Sequence, residues 1–198
     1  LTLIGLEALQ TWRRTQGVAW LQAYKWPVLC FVAVGFWNTV GAGLLGFAIN
    51  PPASLYYVQG LNMTPAHGHA ALFGVYGMLG IGLMLFCLRG LYARHLHADG
   101  LLKPAYWGLN IGLAMMVFMS LLPAGIYQAW AAITQGLWYA RSAEVVHSPV
   151  MEALVWLRVP GDIVFAAGAA ILALYVVRLL GRGGSQVATA VGAAKAVR

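Results

Sequence analysis

Nineteen residues without a charge, Ala70 to Leu88, follow directly on Thr64-Pro65-Ala66-His67-Gly68-His69, and this stretch leaves the chain few folds to choose from. Counted from Ala66, the run is long enough to cross a hydrocarbon layer of ~30 Å as one helix. Pro65 suits the start of that helix, because the first turn has no partner for the N–H that proline lacks. His67 and His69 therefore fall in the opening turns, near one face of a membrane.

Helical spacing sets what this pair can do. At about 100° per residue, positions i and i+2 point nearly opposite ways. Two such imidazoles do not grip one ion as an i, i+4 pair does, but they can serve two separate sites. Gly68, Gly74, Gly77, Gly80 and Gly82 keep the helix surface flat, so that a neighbouring helix or a planar cofactor can come close. Two haems, one on each face, match that shape. The simpler reading makes both histidines interfacial groups bonded to loop carbonyls or lipid headgroups. Ionisable groups inside a membrane are costly and usually functional.

Composition supports a lipid solvent. The chain is 61% hydrophobic and 9% charged, with a mean hydropathy of +0.75, outside the range of a soluble domain. Its net charge of +7 does not point to nucleic acid, because the twelve Lys and Arg residues are scattered between apolar runs. Cys30 and Cys87 each fall within an apolar run and read as small buried residues, with no disulfide framework. The first residue is Leu1, with no cationic segment ahead of the first apolar run, which predicts no signal peptide and a portion of something longer.

The sequence predicts an all-α polytopic transmembrane bundle with four spans, at about 27–49, 66–88, 106–130 and 153–180. Residues 1–25 read as the end of a preceding helix and an interfacial belt, with Trp12, Arg13, Arg14, Trp20, Tyr24, Lys25 and Trp26. Asn50, Pro51 and Pro52 end the first span, and an uncharged polar and aromatic loop runs to Met63. Arg89, Arg94, His95, His97, Asp99 and Lys103 form a charged loop in which the second His-x-His pair is a solvated face. Trp138, Tyr139, Arg141, Glu144, His147 and Glu152 belong to a longer loop with room for a short helix. Residues 181–198 read as a disordered tail.

Lys and Arg set the orientation. Arg13, Arg14, Lys25, Arg89, Arg94, Lys103, Arg182, Lys195 and Arg198 share one side of a four-span chain, while residues 50–63 carry none and residues 131–152 carry only Arg141. The basic side is then cytoplasmic, and the histidine pair lies toward the outer face. At that same outer level, Arg158 and Asp162 in Trp-Leu-Arg-Val-Pro-Gly-Asp are i and i+4 on one helix face and can pair. They read either as an anchoring ion pair or as a proton-handling site, with Pro160 loosening the backbone between them.

The strings Asn-Pro-Pro, Leu-Tyr-Tyr, Gln-Gly-Leu-Asn and His-Gly-His resemble the tenth core helix and preceding loop of the haem–copper oxidase superfamily. Further strings, Gly-Val-Tyr-Gly-Met-Leu-Gly-Ile-Gly-Leu-Met from Gly74, Leu-Arg-Gly-Leu from Leu88, Tyr-Trp-Gly-Leu-Asn from Tyr106, Leu-Trp-Tyr-Ala-Arg-Ser from Leu137 and Trp-Leu-Arg-Val-Pro-Gly-Asp from Trp156, are similar to the quinol-dependent nitric oxide reductases within it. The resemblance covers about residues 5–180. It implies the C-terminal portion, a quarter or so, of a haem–copper oxidase-like core of twelve or more helices in a bacterial cytoplasmic membrane. That family reduces two NO to N2O, with electrons from quinol passing through haem b to a haem b3 and non-haem iron centre.

By the same resemblance His67 is the proximal ligand of the haem b3 iron and His69 an axial ligand of the haem b iron. Tyr56, Tyr57, Gln59, Asn62 and Thr64 would be hydrogen-bond donors near the haem propionates. Arg158 and Asp162 would border a quinol pocket, with Asp162 as proton acceptor. The three histidines and one glutamate of the non-haem iron, and the second histidine of haem b, are missing from these spans. The implied partners are therefore the remaining N-terminal part of the reductase, quinol, NO and the lipid bilayer, with a homodimer as one assembly. An oxygen-reducing relative and a cofactor-free membrane anchor or transporter segment are the alternatives.

Overall fold

The computed structural model describes residues 2–14, 18, 24–92 and 99–196, the last fifteen of these by their backbone alone. The described residues form helices and connecting turns, with no strand among them. Helix α1 (Thr2–Arg14) lies against the first of four helices long and apolar enough to cross a membrane. These are α2 (Lys25–Ile49), α4 (Met63–Leu91), α5 (Gly100–Gln135) and the segment Pro149–Gly181. Between them lie α3 (Pro52–Val58) and α6 (Ala143–Val146). The last span is built from α7 (Pro149–Trp156) and the first part of α8 (Arg158–Ala196). A multi-pass helical membrane protein is the result, as the hydropathy predicts.

Where the chain departs from its expected boundaries, proline and alanine explain why. The sequence makes Pro51 and Pro52 breakers of the first span and nothing more, but Pro52 opens α3 at a position where its missing N–H is harmless, and the Leu55 N–H bonds to the Pro51 carbonyl at 2.8 Å. The expected loop thus holds two turns of helix, closed by Gly60 at φ +72°. The third span runs on to Gln135 rather than ending near residue 130, and stops at Gly136, whose φ of +102° only glycine adopts readily. The fourth starts at Pro149, capped by Ser148 Oγ accepting from the Met151 N–H at 3.3 Å. It breaks at Leu157, because the Pro160 ring has no N–H for the Trp156 carbonyl and collides with it.

α8 continues to Ala196. Five alanines between residues 188 and 196 have the highest helix propensity, and extending an existing helix requires no new nucleus. Trp20, Arg94, His95 and His97 lie outside the described residues.

Three spans widen into π-helical turns, over Asn38–Leu45 in α2, Ala70–Gly77 in α4 and Met116–Leu121 in α5. Such turns concentrate at functional sites. The one in α5 ends just before Pro123, which cannot bond to the Met119 carbonyl, so the helix takes up the mismatch there.

In lipid, helices associate through close packing rather than water exclusion, so small residues decide where backbones meet. α5 and α8 touch at Gly108, Gly112, Gly161 and Gly168, and a Cβ on Gly112 would collide with the Phe165 backbone N. α2 and α4 meet through Gly74, which receives the Trp37 ring, and Gly41, which receives Ala70. Around Trp37 a core forms from Ala33 and Val34, Val75 and Met78 of α4, and Leu109, Leu113 and Val117 of α5. Trp37 Nε1 donates to Asn110 Oδ1 at 3.0 Å, which satisfies an indole N–H that would be expensive to leave alone in a membrane.

Candidate functional site

The histidine pair sits in the second turn of α4, and each ring meets a different neighbour. His67 turns to α2, where its Nδ1 lies 3.0 Å from the Gly41 carbonyl oxygen. A Cβ on Gly46 would meet its Cε1 at 3.0 Å, so two glycines of α2 make the recess in which this imidazole lies. His69 turns to α8, where its Nε2 lies 3.1 Å from Arg158 Nη2. Its Nδ1 is 2.8 Å from the Pro65 carbonyl oxygen, one turn back in its own helix. Both rings are half-buried, with Ala66 and Ala70 sealed between them. The expectation that i and i+2 point apart is what the geometry shows.

Both rings also present the same tautomer. A carbonyl at Nδ1 can only accept, so each ring carries its proton there and offers the Nε2 lone pair. That is how a histidine is held for iron, with a carbonyl fixing the ring and raising its basicity. The donor set thus fits two iron-bearing groups on opposite faces of one helix. Nε2 of His69 accepts from Arg158 in this structure, so the guanidinium and a metal address the same lone pair.

Arg158 also donates from Nε to Asp162 Oδ1 at 3.2 Å, forming the expected i, i+4 ion pair. With side chains 37% and 45% exposed, this pair contributes little to stability. Its interest lies in place: His69, Arg158 and Asp162 form one continuous chain of polar contacts between α4 and α8.

The residues expected around a propionate are less uniform. Tyr56 and Thr64 are exposed, and Tyr56 stacks edge-on against Tyr57 at 5.1 Å. Tyr57 packs beside Leu61, Ala131 and Ala132. The Gln59 carbonyl accepts from Arg141 Nη2. Asn62 donates both its backbone N–H and its Nδ2 to Gln128 Oε1, each at 2.9 Å. Gln128 and Arg141 are not among the expected site residues. A lone glutamine in an apolar span is the available signal, since such a group is seldom left without a partner. Of the predicted flattening glycines, Gly74 and Gly82 are filled by α2 side chains, whereas Gly68 and Gly80 face open space.

In the connection between α5 and α7 Tyr139 donates to Glu144 Oε1 at 3.0 Å, and that hydrogen bond raises the phenol above its ordinary pKa. His147 and Glu152 are exposed. Among the described residues no three His, Cys, Asp or Glu side chains come together to hold a metal ion.

A stretch of 95 residues, 46% of the chain, is 32% identical to a nitric oxide reductase subunit from Stutzerimonas stutzeri. The chain spans only 20% of that relative's length. The family model for cytochrome c and quinol oxidase polypeptide I matches residues 6–164, which takes in both histidines, Arg158 and Asp162. With four membrane-crossing helices and a match over most of its length, the chain belongs to the cytochrome c and quinol oxidase polypeptide I family of membrane oxidoreductases.

Proposed function

We propose that this chain is part of a quinol-dependent nitric oxide reductase of a bacterial cytoplasmic membrane, with its histidine pair toward the outer face. The overall reaction would be quinol plus two NO giving quinone, N2O and water, which balances in electrons and protons. The observation that carries the reading is the diverging pair His67 and His69, each with Nδ1 on a backbone carbonyl and a lone pair at Nε2.

His67 would hold the haem b3 iron and His69 the haem b iron, each through Nε2, and the haems supply the one-electron chemistry. The non-haem iron, the second ligand of haem b and the haem-covering helices would come from the rest of the enzyme. Asp162 would accept a proton from quinol, with Arg158 orienting its carboxylate. Tyr56, Gln59 and Thr64, all exposed, are the expected propionate-side residues with room for their side chains to donate. Asn62 is committed to Gln128 and would act on the haem only through the helix that follows it. The 32% identity to a nitric oxide reductase chain favours NO over O2 as substrate.

The test is turnover of the full-length enzyme with a reduced quinol. Consumption of two NO for each N2O formed supports the reading. Quinol-driven uptake of O2 with no NO consumption would replace it with the oxygen-reducing alternative, and no turnover in a haem-free preparation would leave a membrane anchor.

A further inference from the structure

The outer end of α5 carries a row of residues that the proposed reaction does not use. Gly125, Gln128, Ala131 and Ala132 lie on one helix face, and all are buried. That face meets the residues leading into the histidine helix. A Cβ on Gly125 would stand 2.5 Å from the Met63 backbone N, so α5 lies directly on the first residue of α4. Gln128 Oε1 accepts from the backbone N–H and the Nδ2 of Asn62, the residue just before α4, whose side chain makes no capping bond of its own. Ala131 and Ala132 enclose Leu61. At the far side of the same turn, Arg141 holds the Gln59 carbonyl with Nη2 and the Leu137 carbonyl with Nη1, the latter at 2.7 Å.

A buried amide in a span costs free energy unless it is bonded, and this one puts its oxygen wholly at the service of the residue that leads into α4. His67 and His69 follow five and seven residues later in the same helix. A helix transmits rotation and translation from its cap to those rings, and metal-binding geometry tolerates errors of only about 0.5 Å.

We propose that Gln128, helped by Arg141, is a positioning residue that sets the rotation and depth of α4 and so aims both imidazoles at their irons. The inference rests on the haem-binding role given to His67 and His69 above. Gln128 touches neither haem nor substrate and acts through Asn62.

The experiment uses the full-length enzyme with Gln128→Met, which keeps the length and loses the acceptor, and Gln128→Glu, which keeps a carbonyl oxygen. Two signals are read per haem. The iron–histidine stretching band of the reduced five-coordinate haem reports His67, and the g-values of the low-spin haem report His69. Both should shift in the methionine variant and stay at wild-type values in the glutamate variant. A methionine variant that melts at lower temperature with both signals unchanged would overturn the proposal and leave Gln128 a packing residue. If that variant does not fold, Arg141→Gln is read in the same way: a shift supports the proposal and wild-type signals overturn it. A wild-type enzyme lacking both haem signals would sink the haem reading itself, and would do so before any variant is made.

Discussion

Arg158 Nη2 stands 3.1 Å from Nε2 of His69, joining two residues 89 positions apart in the chain. The same guanidinium holds Asp162 from its Nε. An imidazole and a carboxylate are thereby placed at the same level of the bundle, separated by a single side chain.

The division of labour between the histidines is testable by substitution in the full-length enzyme. His67→Ala should lose the high-spin haem signal, or NO turnover, while the six-coordinate spectrum stays. His69→Ala should lose the six-coordinate spectrum instead. Identical spectra from the two variants would contradict the two-face geometry.

Asp162→Asn removes the carboxylate and keeps the shape. Quinol-driven turnover should fall about 10²-fold or more, as when a general base is lost, while haem content persists. Turnover equal to wild type would take Asp162 out of the site.

Helix contacts give a prediction independent of any cofactor. Gly112→Ala would drive a methyl group into the Phe165 backbone, so α5 and α8 must separate, at a cost of about 1–3 kcal/mol. Gly80→Ala meets nothing within 4 Å and should be neutral or stabilise by up to about 1 kcal/mol, through helix propensity. Unfolding of both variants in mixed detergent compares them directly.

Asn110→Leu leaves the Trp37 indole N–H without its acceptor. Interhelical hydrogen bonds in membranes average about 0.6 kcal/mol, and an orphaned buried donor costs about 1–3 kcal/mol. A loss of about 1 kcal/mol is expected, with much less in a Trp37→Phe, Asn110→Leu double variant than the two single losses summed. Simple additivity would show that the bond contributes nothing.

Much of this architecture is readable from local signals. Charge-free runs of about twenty residues locate the spans, the i, i+2 spacing separates the two imidazoles, and the i, i+4 spacing pairs Arg158 with Asp162. The contacts that depend on distant partners are not readable in that way. Gln128 sits in an apolar stretch with nothing nearby to name Asn62, 66 residues earlier, as its partner. The Arg158 contact to His69 needs α4 and α8 in register, which no local pattern fixes. Pro52 misleads for another reason, since a breaker at the first helical position is a starter.

The most direct test of the central claim is a reduced-minus-oxidised visible spectrum of the purified full-length enzyme, with and without NO. Two distinct b-type haems, only one of which binds NO, are predicted from two imidazoles that present Nε2 on opposite faces of one helix. A spectrum with a single haem type, or with none, would contradict it.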